Sequence, residues 1–272
     1  MKDTGSEHQV AIGHKNVVER LWTEPAFEQC RKHLPKPPNA NVLVAEARCG
    51  MVPIKWIEDL PETTRVMALD SSSAMLDTAR QRIGDDLQRR IFFVQQRVSQ
   101  LSYADGVFPA AICLSGIVTA RQAQEGLGEL TRVTSSGGQV VICAPLATSF
   151  PEFYDLLDEA LRAHGLADAL GRLNDLRNSL LSPARLLDTA RSLRLTDINV
   201  SELSWNVAFG SGREFLYSPL VQESFFPHWV GAIRSSEREP VLRYIGDAID
   251  TYWHERMMRS TITACMLKAT KI

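Results

Sequence analysis

Asp70 closes an apolar run and is followed at once by three hydroxyls, Ser71-Ser72-Ser73. A carboxylate at the end of a strand can accept two hydrogen bonds from a ribose diol. The same acid and serines can instead cap the helix that follows. Residue types alone leave both uses open. Other chemistry is sparser. The six histidines, His164, His228 and His254 among them, form no metal-ligand spacing. His228 stands between Phe225-Phe226-Pro227 and Trp229 and reads as part of a packed lid rather than as a base. Trp205, Phe209, Tyr217 and Phe226 could line an apolar pocket or belong to a core. Arg80, Arg82, Arg89 and Arg90 read as a solvated helix face. The five cysteines, Cys30, Cys49, Cys113, Cys143 and Cys265, are scattered and contain no C-x-x-C pair. That argues for a reducing compartment and against a disulfide framework or a zinc site.

The elements that must position these residues alternate. Val42–Ala45, Arg65–Leu69, Ile91–Val94, Ala110–Leu114 and Gln139–Cys143 are short apolar runs fit for buried strands. Helical patterns separate them at Pro53–Leu60, Ser71–Ile83 and Arg121–Val133, with Gly137-Gly138 as a turn. Such an alternation implies a parallel sheet covered on both faces. Its ligands bind outside the carboxyl ends of the strands, where the strand order reverses. Residues 1–14 read as a polar tail, and a helix from Asn16 to Leu34 is interrupted at Pro25 and restarts with Pro25 as its first residue. Beyond Pro145 the pattern becomes helical through Phe150–His164, Leu166–Leu181 and a helix capped by Ser182. Ile198 and Val200, then Leu203, Trp205, Val207 and Phe209, alternate like strand with a slip between the two sets. A helix over Glu239–His254 and a strand over Ile262–Ala269 complete the chain.

With 272 residues, 44% of them hydrophobic, the chain can bury one large α/β core. A net charge of −2 supplies no basic field for a nucleic-acid backbone. Met1–Gly13 has no apolar signal-like stretch and no run approaches a membrane span, so the expectation is a cytoplasmic protein without membrane or nucleic-acid partners.

The stretch from Val42 to Ile142 resembles the core of class I S-adenosylmethionine-dependent methyltransferases, especially those acting on small molecules, lipids or quinones. Val42-Leu43-Val44-Ala45-Glu46-Ala47-Arg48-Cys49-Gly50 is similar to the family's strand followed by E-x-G-C-G-x-G. Asp70–Ala79 fits D-x-S-x-x-M-L-x-x-A at every fixed position. Leu101–Phe108 is similar to L-P-F-x-D-x-S-F, and Glu129-Leu130-Thr131-Arg132-Val133 with Gly137-Gly138 to E-x-x-R-V-L-K-P-G-G. The resemblance implies a doubly wound, mostly parallel seven-stranded sheet, the Rossmann-like methyltransferase fold, with a helical insertion after strand five. It implies a cap over residues 1–40, a core over 41–149 and 185–272, and an insertion over 150–184, with 210–235 contributing to a lid. It also implies S-adenosylmethionine as cofactor, contacted by Glu46, Cys49, Gly50, Asp70, Ser71, Met75, Val98 and Ser115. Asp70 would anchor the ribose, with Ser71 and Met75 flanking the adenine.

The departures cluster at that cofactor. Arg48 and Val52 stand at glycine positions of the first loop, where a valine disfavours positive φ and an arginine fills space needed by the methionine part. Arg97 stands where the family places an acid toward the adenine amino group, and Pro109 where it often has Asp. The expected activity is methyl transfer to a small acceptor, a displacement that rests on positioning and desolvation and requires no universal catalytic residue. The alternative is a non-catalytic descendant that binds a protein partner on the same scaffold. The sequence specifies no oligomeric state.

Overall fold

The computed structural model describes residues 4–115 and 119–272. Among the described residues seven strands form one sheet: β1 Asn41–Ala45, β2 Arg65–Asp70, β3 Ile91–Gln95, β4 Phe108–Cys113, β5 Thr134–Pro145, β6 Leu195–Phe209 and β7 Met258–Lys271. Their order is β3-β2-β1-β4-β5-β7-β6. The first five run parallel, and β7 is antiparallel to both β5 and β6. From β1 the chain winds outward through β2 and β3, then returns to place β4 and β5 on the other side. The order therefore reverses between β1 and β4, and the carboxyl ends of these two strands flank the crevice that such sheets use for ligands.

Side-chain alternation along each strand divides the core into two layers. Val42, Val44, Ala110, Ile112 and Val141 face one layer, which holds the N-terminal helices and the aromatic residues beyond β5. Leu43, Ala45, Ala111, Cys113, Val140 and Ile142 face the other, covered by Leu127 and Leu130 of α6 (Ala120–Val133) and by Leu186 and Ala190 of α9 (Pro183–Ser192). Between β1 and β3 lie α3 (Met51–Ile57), α4 (Ser73–Arg80) and α5 (Asp85–Gln88). The insertion after β5 contains α7 (Pro151–Ala163) and α8 (Ala167–Ser179). Between β6 and β7 come α10 (Gly212–Tyr217), a π-helical stretch Val221–Phe225, α11 (Phe226–Gly231) and α12 (Ser235–Tyr252).

Several local expectations change. The polar start is no tail: α1 (Thr4–Gly13) is helical, and its Ala11 is fully buried against Cys49 and Met75. Pro25 does not interrupt the following helix. His14–Thr23 is π-helical and α2 (Glu24–Cys30) continues it, with Thr23 still in right-handed helical conformation. The wider π spacing, seen in the Glu24 N–H bond to Glu19 O, brings the chain into Pro25, which sits in the first turn of α2 and costs no hydrogen bond there. Gly137-Gly138 lies inside β5 rather than in a turn before it. There β5 shifts register against β4 between Phe108 and Ala110, and a Cβ at Gly138 would lie 2.7 Å from Thr134.

The slip in β6 has a different origin from a bulge. From Asn199↔Lys268 to Phe209↔Met258 the pairing with β7 is unbroken, and the irregularity lies earlier, between Thr196 and Asn199. Ile198 and Val200 pack into the layer of α6 and α9, whereas Leu203, Trp205, Val207 and Phe209 pack into the opposite layer. The apolar parity switches because the two halves of one strand are covered on opposite faces. Of the four arginines, Arg80 and Arg89 are exposed, but Arg82 and Arg90 are half-buried and bonded. Arg82 bonds Glu19 and the Cys49 carbonyl, and Arg90 bonds the carbonyls of Leu60, Pro61 and Thr64.

Candidate functional site

The loop after β1 is held in an unusual backbone shape. Glu46, Arg48 and Gly50 all have positive φ, at 52°, 50° and 85°. Only the glycine does so without strain. A Cβ on Gly50 would lie 2.8 Å from the Cβ of Ala79, so α4 packs directly on the loop. Val52 sits in the first turn of α3, buried and without positive φ, so the strain falls on Arg48 instead. The Asp70 side chain is fully buried and its two oxygens are both used: Oδ2 accepts from Arg48 N at 2.9 Å and Oδ1 from Ser72 N at 2.9 Å. Ser72 Oγ caps α4 by accepting from Met75 N at 3.4 Å. Asp70 thus ties the first loop to the start of α4.

The Arg48 side chain points into the cleft. Its Nη2 lies 3.3 Å from Glu46 Oε2 and its Nε 3.9 Å from Asp70 Oδ2, with 26% of the side chain exposed. Burial opposes the Arg48 charge, but Glu46, Asp70 and Glu223 outweigh it and keep the guanidinium protonated. Burial pushes the Glu46 carboxyl above the ordinary range; Arg48 counters this and Asp70 adds to it.

Two cavities meet at Arg48. One, of about 380 Å³, is lined by Glu46, Ser71, Arg97, Val98 and Ser99 with Arg48. The other, of about 310 Å³, is lined by His14, Trp22, Ser115, Glu223 and His228 with Arg48. Gln122 of α6 shares both walls. Of the residues singled out from the sequence, Glu46, Ser71 and Val98 share the first cavity, and Ser115 lines the second. Asp70 lies behind both, out of reach of solvent. Cys49 and Met75 line neither: the Cys49 thiol bonds Ala11 O at 3.4 Å and lies 3.4 Å from the Met75 sulfur, and burial pushes that thiol up to about 12. Gly50 lies beneath α4. Arg97 borders the first cavity and makes no ion pair among the described residues.

Sequence reading missed His14 and Glu223, which join across 209 positions at 2.9 Å. Only tertiary contact brings them together, and no spacing signal could have found them. Trp22 helps place this helix over the sheet by donating to Leu114 O at 3.2 Å, just past β4. His228, expected in a packed lid, lines the second cavity, and burial lowers its pKa. Phe153, Phe209, Phe215, Phe225 and Trp229 are core. Trp229 stacks on Phe153 at 3.7 Å and lies against Phe215 and Phe225, Phe209 meets Phe215, and Tyr217 is exposed. The segments around Leu101 and Glu129 form a clamp: Arg132 donates to the carbonyls of Leu101 and Tyr103 and to Asp105, while Glu129 accepts from Leu101 N.

Comparison with known proteins agrees with this architecture. A family described as "Methyltransferase domain" matches residues 44–138. Over those residues the chain is similar to methyltransferase domains. The demethylmenaquinone methyltransferase of Deinococcus radiodurans is 30% identical over 125 residues, 46% of this chain and 49% of that protein. The chain thus spans about half the length of this curated relative. The YcgJ protein of Bacillus subtilis superposes with a TM-score of 0.55 at 14% identity, covering 90% of this chain and 97% of that one. Geranyl diphosphate C-methyltransferase of Streptomyces coelicolor, solved with S-adenosyl-L-homocysteine, gives 0.53 at 13% identity, covering 93% and 80%. These two likenesses concern the fold.

The residues around Arg48 suit S-adenosylmethionine, the cofactor the resemblance implies, in charge. Its sulfonium and ammonium are cations, and Arg48 already holds a cation beside Glu46 and Asp70. Glu46, Ser71, Val98 and Ser99 are the residues that would hold the cofactor, with Arg48 as a competitor for the Glu46 carboxylate.

Proposed function

We propose that this chain is an S-adenosylmethionine-dependent methyltransferase acting on a small, largely apolar acceptor, with the first cavity serving the cofactor and the second the acceptor. The observation that carries the reading is the meeting of two cavities at Arg48, at the carboxyl ends of β1 and β4. Bound there, the cofactor supplies an electrophilic methyl group on a sulfonium sulfur. The chain supplies position and dryness. Glu46 offers a carboxylate for the cationic end, Ser71 a polar edge and Val98 an apolar surface. Trp22 and Val18, with Pro145 and Pro227, give the second cavity apolar walls that exclude water from the acceptor. Relatives named demethylmenaquinone methyltransferase support a quinone-type acceptor.

Arg48 favours a second reading, a non-catalytic scaffold, because it stands between the two cavities and pairs the acids a cofactor would use. Incubation with S-adenosyl-[methyl-³H]methionine and a panel of quinols separates the two. Tritium transferred to an acceptor supports the enzyme; absence of both transfer and cofactor binding supports the scaffold.

A further inference from the structure

The Arg48 guanidinium carries five N–H donors in a planar fork. Among the described residues, the hydrogen bond that Arg48 donates comes from its backbone N–H, to Asp70 Oδ2 at 2.9 Å. The guanidinium itself meets Glu46 Oε2 at 3.3 Å and Asp70 Oδ2 at 3.9 Å as ion pairs and not as hydrogen bonds. Asp70 is not free to turn toward it, because Arg48 N and Ser72 N already hold both of its oxygens. With 26% of the side chain exposed, the fork is mostly buried and its donors are left over. Buried donors are normally paired, so a charged fork without hydrogen bonds marks a place for oxygen atoms that the chain does not supply.

The second observation is where the fork stands. Arg48 lines the second cavity as well as the first. The other titratable groups of the second cavity are His14, Glu223 and His228. Glu223 is already engaged, its Oε2 lying 2.9 Å from His14 Nδ1, and Glu19 on the same helix is engaged by Arg82. No acid of this cavity therefore satisfies the fork. Val18 and Trp22, 2% and 5% exposed, give the cavity apolar surface together with Pro145 and Pro227. Its volume of about 310 Å³ is roughly that of ten water molecules, room for one ring with a short arm.

We propose that the second cavity binds a carboxylate carried on a small apolar body, and that Arg48 is the residue that selects it. The ligand's part as methyl acceptor rests on the methyltransferase reading above; its chemistry rests on Arg48 and the cavity walls. A guanidinium presents two parallel N–H groups at the spacing of the two carboxylate oxygens, so one planar oxyanion takes up the donors that Glu46 and Asp70 leave over. A neutral ligand of the same shape offers one acceptor and no charge. A lysine at the same place would offer a point charge without the fork. The apolar walls then hold the body of the ligand, and their dryness strengthens the pairing at its charged end. Arg48 thus acts oppositely toward the two cavities: it competes with a cation in the first and recruits an anion to the second.

The test titrates cinnamate into the full chain without cofactor, with cinnamamide, of the same shape but neutral, as its control. The expected result is saturable binding of cinnamate, about tenfold to hundredfold tighter than cinnamamide. A folded Arg48→Met should bring the two probes to within about twofold of each other, and Arg48→Lys should keep only a minor part of the preference. Ser224→Phe, which narrows the second cavity and not the first, should weaken cinnamate at least about tenfold. Equal binding of the two probes to wild type would overturn the proposal, as would no binding of either, or a preference that survives both Arg48→Met and Arg48→Lys. Cinnamate that binds Ser224→Phe as it binds wild type would overturn it too, by placing the anion outside the second cavity. If the Arg48-dependent preference is seen but neither cofactor binding nor methyl transfer, the proposal stands and the methyltransferase reading fails. If a neutral acceptor is methylated and wild type shows no preference for cinnamate, the proposal fails and that reading stands.

Discussion

Arg48 pairs with Glu46 and Asp70, two acids that are almost or wholly buried, and a cation that is to pair with Glu46 from the first cavity must displace it. Its guanidinium lies 3.3 Å from Glu46, whose side chain is 11% exposed. Exposed ion pairs contribute about 0.2–1 kcal/mol, and breaking a fully buried pair costs about 3–5 kcal/mol. With a quarter of its side chain exposed, Arg48 falls between, and displacing it should cost about 1.5–3 kcal/mol. That corresponds to roughly tenfold to hundredfold in affinity. Arg48→Ala removes the competitor and leaves two acids to attract the sulfonium and ammonium, so S-adenosylmethionine should bind at least about tenfold tighter by calorimetry. S-adenosylhomocysteine, whose sulfur is neutral, should gain less. Arg48→Met keeps most of the volume without the charge: a gain like that of Arg48→Ala makes the competition electrostatic, and wild-type affinity makes it steric. The unliganded Arg48→Ala variant should also melt lower, because Glu46 and Asp70 lose their cation. If Arg48→Ala weakens binding of S-adenosylmethionine, the reasoning is wrong and Arg48 belongs to the binding surface.

Three further outcomes follow from the packing. Burial lowers the His228 pKa, so below the ordinary value near 6.5 the unfolded chain takes up a proton that the native state resists. Stability should therefore fall as pH drops from about 6.5 toward the lowered native value, and thermal melts of His228→Gln should show a flatter profile across that window. Arg132→Ala removes the clamp on Leu101, Tyr103 and Asp105 and should cost about 2 kcal/mol in urea denaturation, with hydrogen exchange rising first in residues 101–105. Gly50→Ala demands positive φ from a residue with a Cβ and brings it 2.8 Å from Ala79. It should cost about 2–3 kcal/mol, part of it recovered by adding Ala79→Gly.

The strands were legible because each is a short apolar run between turn or helix signals, and the sheet followed from their alternation. The Asp70 motif was legible as a unit, yet its residues divide in space. Asp70 and Ser72 hold the loop and cap α4, while Met75 turns away to pack with Cys49 beneath α1. Motif spacing fixes a backbone path and says little about which face each side chain finally presents. The N-terminal helix escaped because residues 4–13 carry almost no amphipathic pattern, and its burial of Ala11 is a tertiary event. The apparent slip in β6 came from reading one strand as if covered on a single face. The His14–Glu223 pair was invisible for a simpler reason: its members are brought together only by the fold.

The central claim is that the cleft beside β1 and β4 takes S-adenosylmethionine, and titration calorimetry of the full chain tests it most directly. The account predicts a saturable heat with one site per chain, sharpened in Arg48→Ala. No heat at millimolar S-adenosylmethionine, from wild type and Arg48→Ala alike, would contradict it.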